Sequence, residues 1–162
     1  RGYSKISRVA GRPRRIVKIA IINGPNLNLL GTREPAVYGS TTLPQIEEQL
    51  RAIAKNLTVD LTFAQYNGEG EIVSAIHALR GSADGLLLNA GAYSHTSLAI
   101  RDALTGVSIP FVEVHLTNIY AREPERRHSV LAEAAVATVC GFGAMSYELA
   151  LRGLVAKLGA NV

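Results

Sequence analysis

Short apolar runs alternate with segments of helical periodicity along most of this chain. Val17–Ile22 (VKIAII) is a β-branched run that stops at the breaker cluster Asn23-Gly24-Pro25. Thr42–Leu57 repeats apolar residues at Ile46, Leu50, Ile53, Ala54 and Leu57, steps of three and four that predict a helix, with Thr41 or Thr42 as its cap. Val59–Ala64 alternates and predicts a second strand. Glu71–Leu79 carries Ile72, Ile76 and Leu79 at helical spacing and ends before Gly81. Gly85–Asn89 (GLLLN) is an uninterrupted apolar run, as expected of a strand covered on both faces. Thr96–Leu104 predicts a helix with Leu98, Ile100, Ala103 and Leu104 apolar. Pro110–His115 and Ala134–Cys140 predict the fourth and fifth strands, and Ser146–Leu158 a closing helix.

Strands and helices in strict alternation imply an α/β fold with a five-stranded parallel sheet. Right-handed crossovers reduce the options to a doubly wound, three-layer α/β/α sandwich. In such sheets ligands bind beyond the carboxyl ends of the strands, where the strand order reverses. Polar residues collect at three of those ends. The first connection, Asn23 to Gly39, is long for a βα loop and holds Asn26, Arg33 and Tyr38. Its glycines and prolines suggest a lid with defined hinges, and it carries no apolar periodicity for a core of its own. The third strand ends in Asn89 and leads to His95. The fourth ends in Glu113 and His115, followed by Leu116, Thr117, Arg122, Arg126 and Arg127.

Each of these residues also fits a plain structural role. Asn23 and Asn26 suit turns beside Gly and Pro. His95 suits a helix start, His115 a satisfied core histidine, and Arg126-Arg127 an exposed charge run. His77 and His128 read as solvated. The functional reading rests on joint placement at three strand ends, not on any one residue.

Composition narrows the chemistry. The chain has 162 residues, 48% hydrophobic and 19% charged, which suits one packed core. Its 17 Lys+Arg exceed its 13 Asp+Glu, but Arg1, Lys5, Arg8, Arg12, Arg14 and Arg15 fall in the first fifteen residues with no acid among them. The remaining 11 basic residues face all 13 acidic ones. The basic excess therefore belongs to an extension over residues 1–15, expected to be flexible, and residues 16–162 form the expected domain. Nucleic acid is not an expected partner. No apolar run is long enough to span a bilayer, and the N-terminal residues lack a secretory apolar segment. A single cysteine, Cys140, excludes an intrachain disulfide framework, reads as packing in a buried strand, and with the preceding points leads to an expected cytoplasmic location.

No His/Cys/Asp grouping has zinc spacing, and no phosphate-binding loop follows the first strand. A flavin carrier shares this architecture but would need such a loop, which Leu27–Leu30 suit poorly. Lys5, Lys18, Lys55 and Lys157 lie outside the strand-end loops, so an imine mechanism has no candidate. Acid–base chemistry with Tyr, His, Asn and Arg remains, on an anionic or hydroxylated small molecule. A phenol ionises near pH ~10, so work as a base at neutral pH requires about 4 kcal/mol of preferential stabilisation of the phenolate. Arg33, in the same loop as Tyr38, is the available source.

The strand-end motifs resemble the type II 3-dehydroquinate dehydratases over nearly the whole chain from about Lys18. They are Asn23-Gly24-Pro25-Asn26-Leu27-Asn28-Leu29-Leu30-Gly31 with Arg33-Glu34-Pro35 and Tyr38-Gly39, Asn89-Ala90-Gly91 with His95-Thr96-Ser97, Glu113-Val114-His115, and Ala121-Arg122-Glu123 with Arg126-Arg127-His128. The resemblance implies a flavodoxin-like fold, a homododecamer built from trimers, no cofactor, and dehydration of 3-dehydroquinate in the shikimate route to aromatic amino acids. By the same resemblance, Tyr38 is the base, with Arg33 lowering its pKa, and Asn26 holds a water at the developing enolate oxygen. His115 is the general acid and Glu113 its orienting partner. Asn89, His95 and Arg126 bind substrate hydroxyls. Leu116 and Thr117 bind the carboxylate, Arg122 is a second lid arginine, and Asp102 reaches a neighbouring subunit's site. Thr117 stands where Ser is frequent in the family, keeping the hydroxyl; Tyr66 also replaces a common Ser.

Overall fold

The structure is a computed structural model that describes residues 15–32 and 34–159. Most of the basic extension, and Arg33, lie outside the described residues. Five strands, β1 (Val17–Asn23), β2 (Val59–Gln65), β3 (Gly85–Asn89), β4 (Phe111–His115) and β5 (Ala137–Cys140), form one sheet in the order β2-β1-β3-β4-β5, every neighbouring pair parallel. This is the flavodoxin-like order, and the chain reverses its direction of travel across the sheet between β1 and β3.

Helices cover both faces: α1 (Pro35–Tyr38), α2 (Leu43–Leu57), α3 (Glu69–Ala78), α4 (Leu98–Val107) and α5 (Met145–Lys157). Strand side chains alternate between faces. Ile19 and Ile21 of β1 join Leu87, Val112 and Val114 against α2 and α5. Ala20 and Ile22 join Leu86, Leu88 and Phe111 against α3 and α4. Every residue of β3 and β4 is buried, which explains why both are apolar apart from Glu113 and the terminal Asn89 and His115. Each such Leu or Ile removed from water is worth about 1.5–3 kcal/mol.

Local signals start the helices. The Thr42 hydroxyl accepts from the Gln45 amide at 3.3 Å and the Gln45 side chain accepts from the Thr42 amide at 2.9 Å, a capping box that opens α2. At α3, Glu71 accepts from the Gly68 amide at 3.0 Å, so the helix begins at Glu69, two residues before the expected Glu71.

Three expectations need correction. Leu98 is 61% exposed: it precedes Ile100 by two positions, about 200° around a helix, so it cannot share the inward face of Ile100, Ala103 and Leu104. β5 is shorter than Ala134–Cys140, because Ala132–Ala134 close a 3₁₀ turn first. β5 is also an edge strand, so Cys140 is half-buried rather than sunk in a covered strand. Within the long first connection, Leu27 and Leu30 are buried in the main core beside α2. Among the described residues, no helix is long and apolar enough to cross a membrane.

Candidate active site

The carboxyl ends of β1 and β3 meet at very short range. The Gly24 amide donates to the Asn89 carbonyl at 2.7 Å, and a Cβ on Gly24 would sit 2.5 Å from the Ala90 carbonyl oxygen. Glycine is therefore required where the two strands hand the chain to their loops. A pocket opens just beyond this junction, and three connections supply its walls.

The first connection contributes Asn26 and Tyr38. Asn26 has a left-handed backbone (φ 67°), which Asn tolerates better than most residues, and its amide donates to the Asn67 side chain at 3.0 Å. Tyr38 ends the short helix α1 and is half-buried. The connection after β3 contributes Asn89 and, through the 3₁₀ turn Gly91–His95, the His95 ring. The connection after β4 contributes His115, Leu116, Thr117, Arg122 and Arg126.

The phenol of Tyr38 receives a hydrogen bond from Nη1 of Arg122 at 2.9 Å, and the guanidinium carbon lies 5.5 Å from the ring centroid. Burial alone would lower the pKa of Arg122; the bond to Tyr38, the charge of Tyr38 and the neighbouring Glu123 outweigh it and raise that pKa. Arg127 holds the Arg122 carbonyl at 2.6 Å, and Arg126 is paired with Glu123 at 2.5 Å, so this arginine run is a braced wall rather than a loose charged surface.

His115 lies at the end of β4, where its Nε2 donates to Glu113 Oε1 at 2.6 Å. Successive strand residues point to opposite faces, so Glu113 and His115, two apart, share one. Glu113 is wholly buried and touches the pocket only through the imidazole. The His95 ring stacks on His115 with centroids 6.0 Å apart, and its Nδ1 donates to the His128 carbonyl at 2.8 Å. The pKa of His95 is lowered chiefly by burial, with the charges of His115 and Arg126 adding to the effect. The His128 bond and Glu113 act the other way.

Asn89 is more constrained than a free substrate ligand. Its amide donates to the Tyr147 hydroxyl at 2.9 Å and its carbonyl accepts from the Gly91 amide at 3.2 Å. Tyr147 in turn donates to Asn23 Oδ1 at 2.5 Å. This buried tyrosine on α5 was not singled out by sequence reasoning, because a lone aromatic at helical spacing reads as core. Two residues stand apart from the pocket. Asp102 lies on α4, in a depression shared with His77 and Arg80. Tyr66 packs, half-buried, against the α3–α4 side of the core.

A parallel sheet of order 2-1-3-4-5 with a polar pocket at its reversal point defines a flavodoxin-like α/β architecture. The model of the family "Dehydroquinase class II" matches residues 17–155, and the chain belongs to that family. It is 59% identical over 140 residues to the 3-dehydroquinate dehydratase of Gemmatimonas aurantiaca, covering 86% of this chain and 92% of that protein. It is 55% identical to the catabolic 3-dehydroquinase 2 of Neosartorya fischeri, covering 86% and 93%. The crystal structure of type II dehydroquinase from Butyrivibrio crossotus superposes with a TM-score of 0.84 at 38% identity, covering 86% of this chain and 97% of that one. The protein is an enzyme of the hydro-lyase class.

Proposed function

We propose that this enzyme dehydrates 3-dehydroquinate reversibly to 3-dehydroshikimate through an enolate, with Tyr38 as base and His115 as general acid. One observation carries the reading: Tyr38 held by Arg122, and His115 held by Glu113, line the same pocket.

The chemistry needs two proton transfers at different atoms. The Tyr38 oxygen removes a proton from the carbon next to the ketone, and the C–H electron pair moves to the ketone oxygen. The Arg122 guanidinium stabilises negative charge on the attacking phenol oxygen. In this reading Arg33 shares that task, and Asn26 holds a water against the enolate oxygen, a placed donor where charge develops. The enolate then collapses: the C–O bond breaks, and His115 protonates the departing hydroxyl so that water leaves. Glu113 fixes the imidazole and balances its positive charge. The proton gained by Tyr38 must pass back to His115 before the next cycle.

His95, Arg126 and the spare hydrogen-bonding capacity of Asn89 suit ring hydroxyls. Thr117 and the backbone after β4 suit the carboxylate. Asp102 lines a depression separate from this pocket, which suits service to a neighbouring subunit in a dodecamer built from trimers. The test is direct. Addition of 3-dehydroquinate to the full chain should produce the ultraviolet absorption of a conjugated enone. In His115→Ala that signal should be lost while solvent exchange of the proton beside the ketone persists. Absence of any enone with the unaltered chain would overturn the reading.

A further inference from the structure

Residues His128–Val130 run behind both imidazoles of the pocket and bond to the support of each. The His128 carbonyl accepts from His95 Nδ1 at 2.8 Å, and the Val130 amide donates to the Ser94 carbonyl at 2.9 Å. Between them, the Ser129 hydroxyl donates to Glu113 Oε1 at 2.7 Å, the same oxygen that accepts from His115 Nε2 at 2.6 Å.

The direction of the serine hydrogen follows from its other partners. Ser129 Oγ accepts from the backbone amides of Leu131 and Ala132, both at 3.1 Å. A hydroxyl has two lone pairs and one hydrogen. Both lone pairs face N–H groups, so the hydrogen has one place to go, which is Glu113. Oε1 is thereby an acceptor on two sides. It presents itself to His115 as the unprotonated oxygen, and the imidazole must donate from Nε2, leaving Nδ1 as the ring nitrogen for the pocket. The other carboxyl oxygen, Oε2, is buried with no hydrogen-bond partner among the described residues. Among the described residues nothing besides Ser129 and His115 is bonded to this carboxyl, so its rotation is set by those two contacts.

We infer that Ser129 is a positioning residue for the loss of the hydroxyl: it locks Glu113, and through Glu113 the orientation of the His115 ring, with Nε2 held by the carboxyl and Nδ1 left for the pocket. This rests on the assignment of His115 as the acid. Removing the hydroxyl leaves Oε1 with one donor and two backbone amides with no acceptor, and frees the carboxyl to turn. The step that suffers is protonation of the leaving hydroxyl. Abstraction of the carbon proton by Tyr38, on a different connection, proceeds.

The experiment compares Ser129→Ala, Ser129→Thr and His115→Ala in the full chain, measuring kcat, KM, and exchange of the substrate's carbon-bound proton in deuterated solvent. In Ser129→Ala, kcat should fall about 10- to 100-fold with KM changed less than about twofold. Exchange should outrun elimination, as the enolate returns to substrate more often than it loses water. Ser129→Thr, which keeps the hydroxyl, should recover to within about threefold of the unaltered chain. An unchanged kcat in Ser129→Ala, or equal losses of exchange and elimination that Ser129→Thr does not rescue, would overturn the inference. If the alanine variant does not fold, Ser129→Cys, a weak donor of similar size, carries the comparison. A raised ratio of exchange to elimination supports the role, and an unchanged ratio overturns it. Normal elimination in His115→Ala would instead overturn the acid assignment itself.

Discussion

Arg122 Nη1 donates to the hydroxyl of Tyr38 at 2.9 Å, joining the short helix α1 to the connection after β4 across 84 residues of sequence. Arg33 shares a loop with Tyr38 in the sequence but lies outside the described residues, and Arg122 reaches Tyr38 from a different strand end. The bond has two consequences: it sets a positive charge against the phenol oxygen, where the proposed base would carry its negative charge, and it ties the first connection to the connection after β4.

Replacement of Arg122 tests the first consequence. A hydrogen bond to a charged group contributes about 1.5–3 kcal/mol, so Arg122→Met should lower kcat by about 10- to 100-fold. Arg122→Lys keeps the charge without the planar fork and should fall between. Steady-state kinetics on the two variants checks this. A kcat unchanged in Arg122→Met would mean that the phenolate is stabilised elsewhere, with Arg33 the first candidate.

Tyr147 joins Asn23 and Asn89 at the carboxyl ends of β1 and β3, buried beneath the pocket floor. Its hydroxyl has a raised pKa, from burial first, so it works as a neutral donor and acceptor. Tyr147→Phe strips a partner from two buried amides, and Asn23 Nδ2 already has none among the described residues. The expected loss of stability is about 2–4 kcal/mol, read from denaturant unfolding. An unaltered midpoint would show that the amides find other partners.

His95 should shape stability in mild acid. The folded protein holds the His95 pKa below its ordinary 6.5, while the unfolded chain takes up its proton near that value. The unfolded state then binds more protons, so stability is complete above pH 6.5 and declines as pH falls toward the folded pKa. Thermal midpoints measured between about pH 7.5 and 5 should drop less steeply for His95→Gln than for the unaltered chain. Parallel curves would contradict the burial effect. The lowered carboxyls of Asp84 and Glu123 act at more acid pH.

Much of this arrangement is legible in the sequence for one reason. Strands β3 and β4 are buried on both faces, so their polar ends, Asn89 and His115, and the one acid within β4, Glu113, stand out against otherwise apolar runs. The Glu113–His115 pair is readable because period two puts both on one face. The rest depends on contacts that no local pattern encodes. Ser129 reaches Glu113 from a polar turn resembling any other, and Tyr147 meets Asn23 over 124 residues of sequence. Leu98 misleads because one apolar residue at a helix start carries no phase by itself. The edge position of β5, and with it the partial exposure of Cys140, follows from strand order, which the alternation of elements leaves open.

The central claim is that the Tyr38 phenol is the base of this pocket. Tyr38→Phe removes one oxygen and leaves the aromatic wall, so it isolates that role. The account predicts that kcat for 3-dehydroquinate falls by about 10²- to 10⁴-fold while calorimetric affinity for the substrate stays within a few-fold. Turnover near that of the unaltered chain, with binding intact, would contradict it.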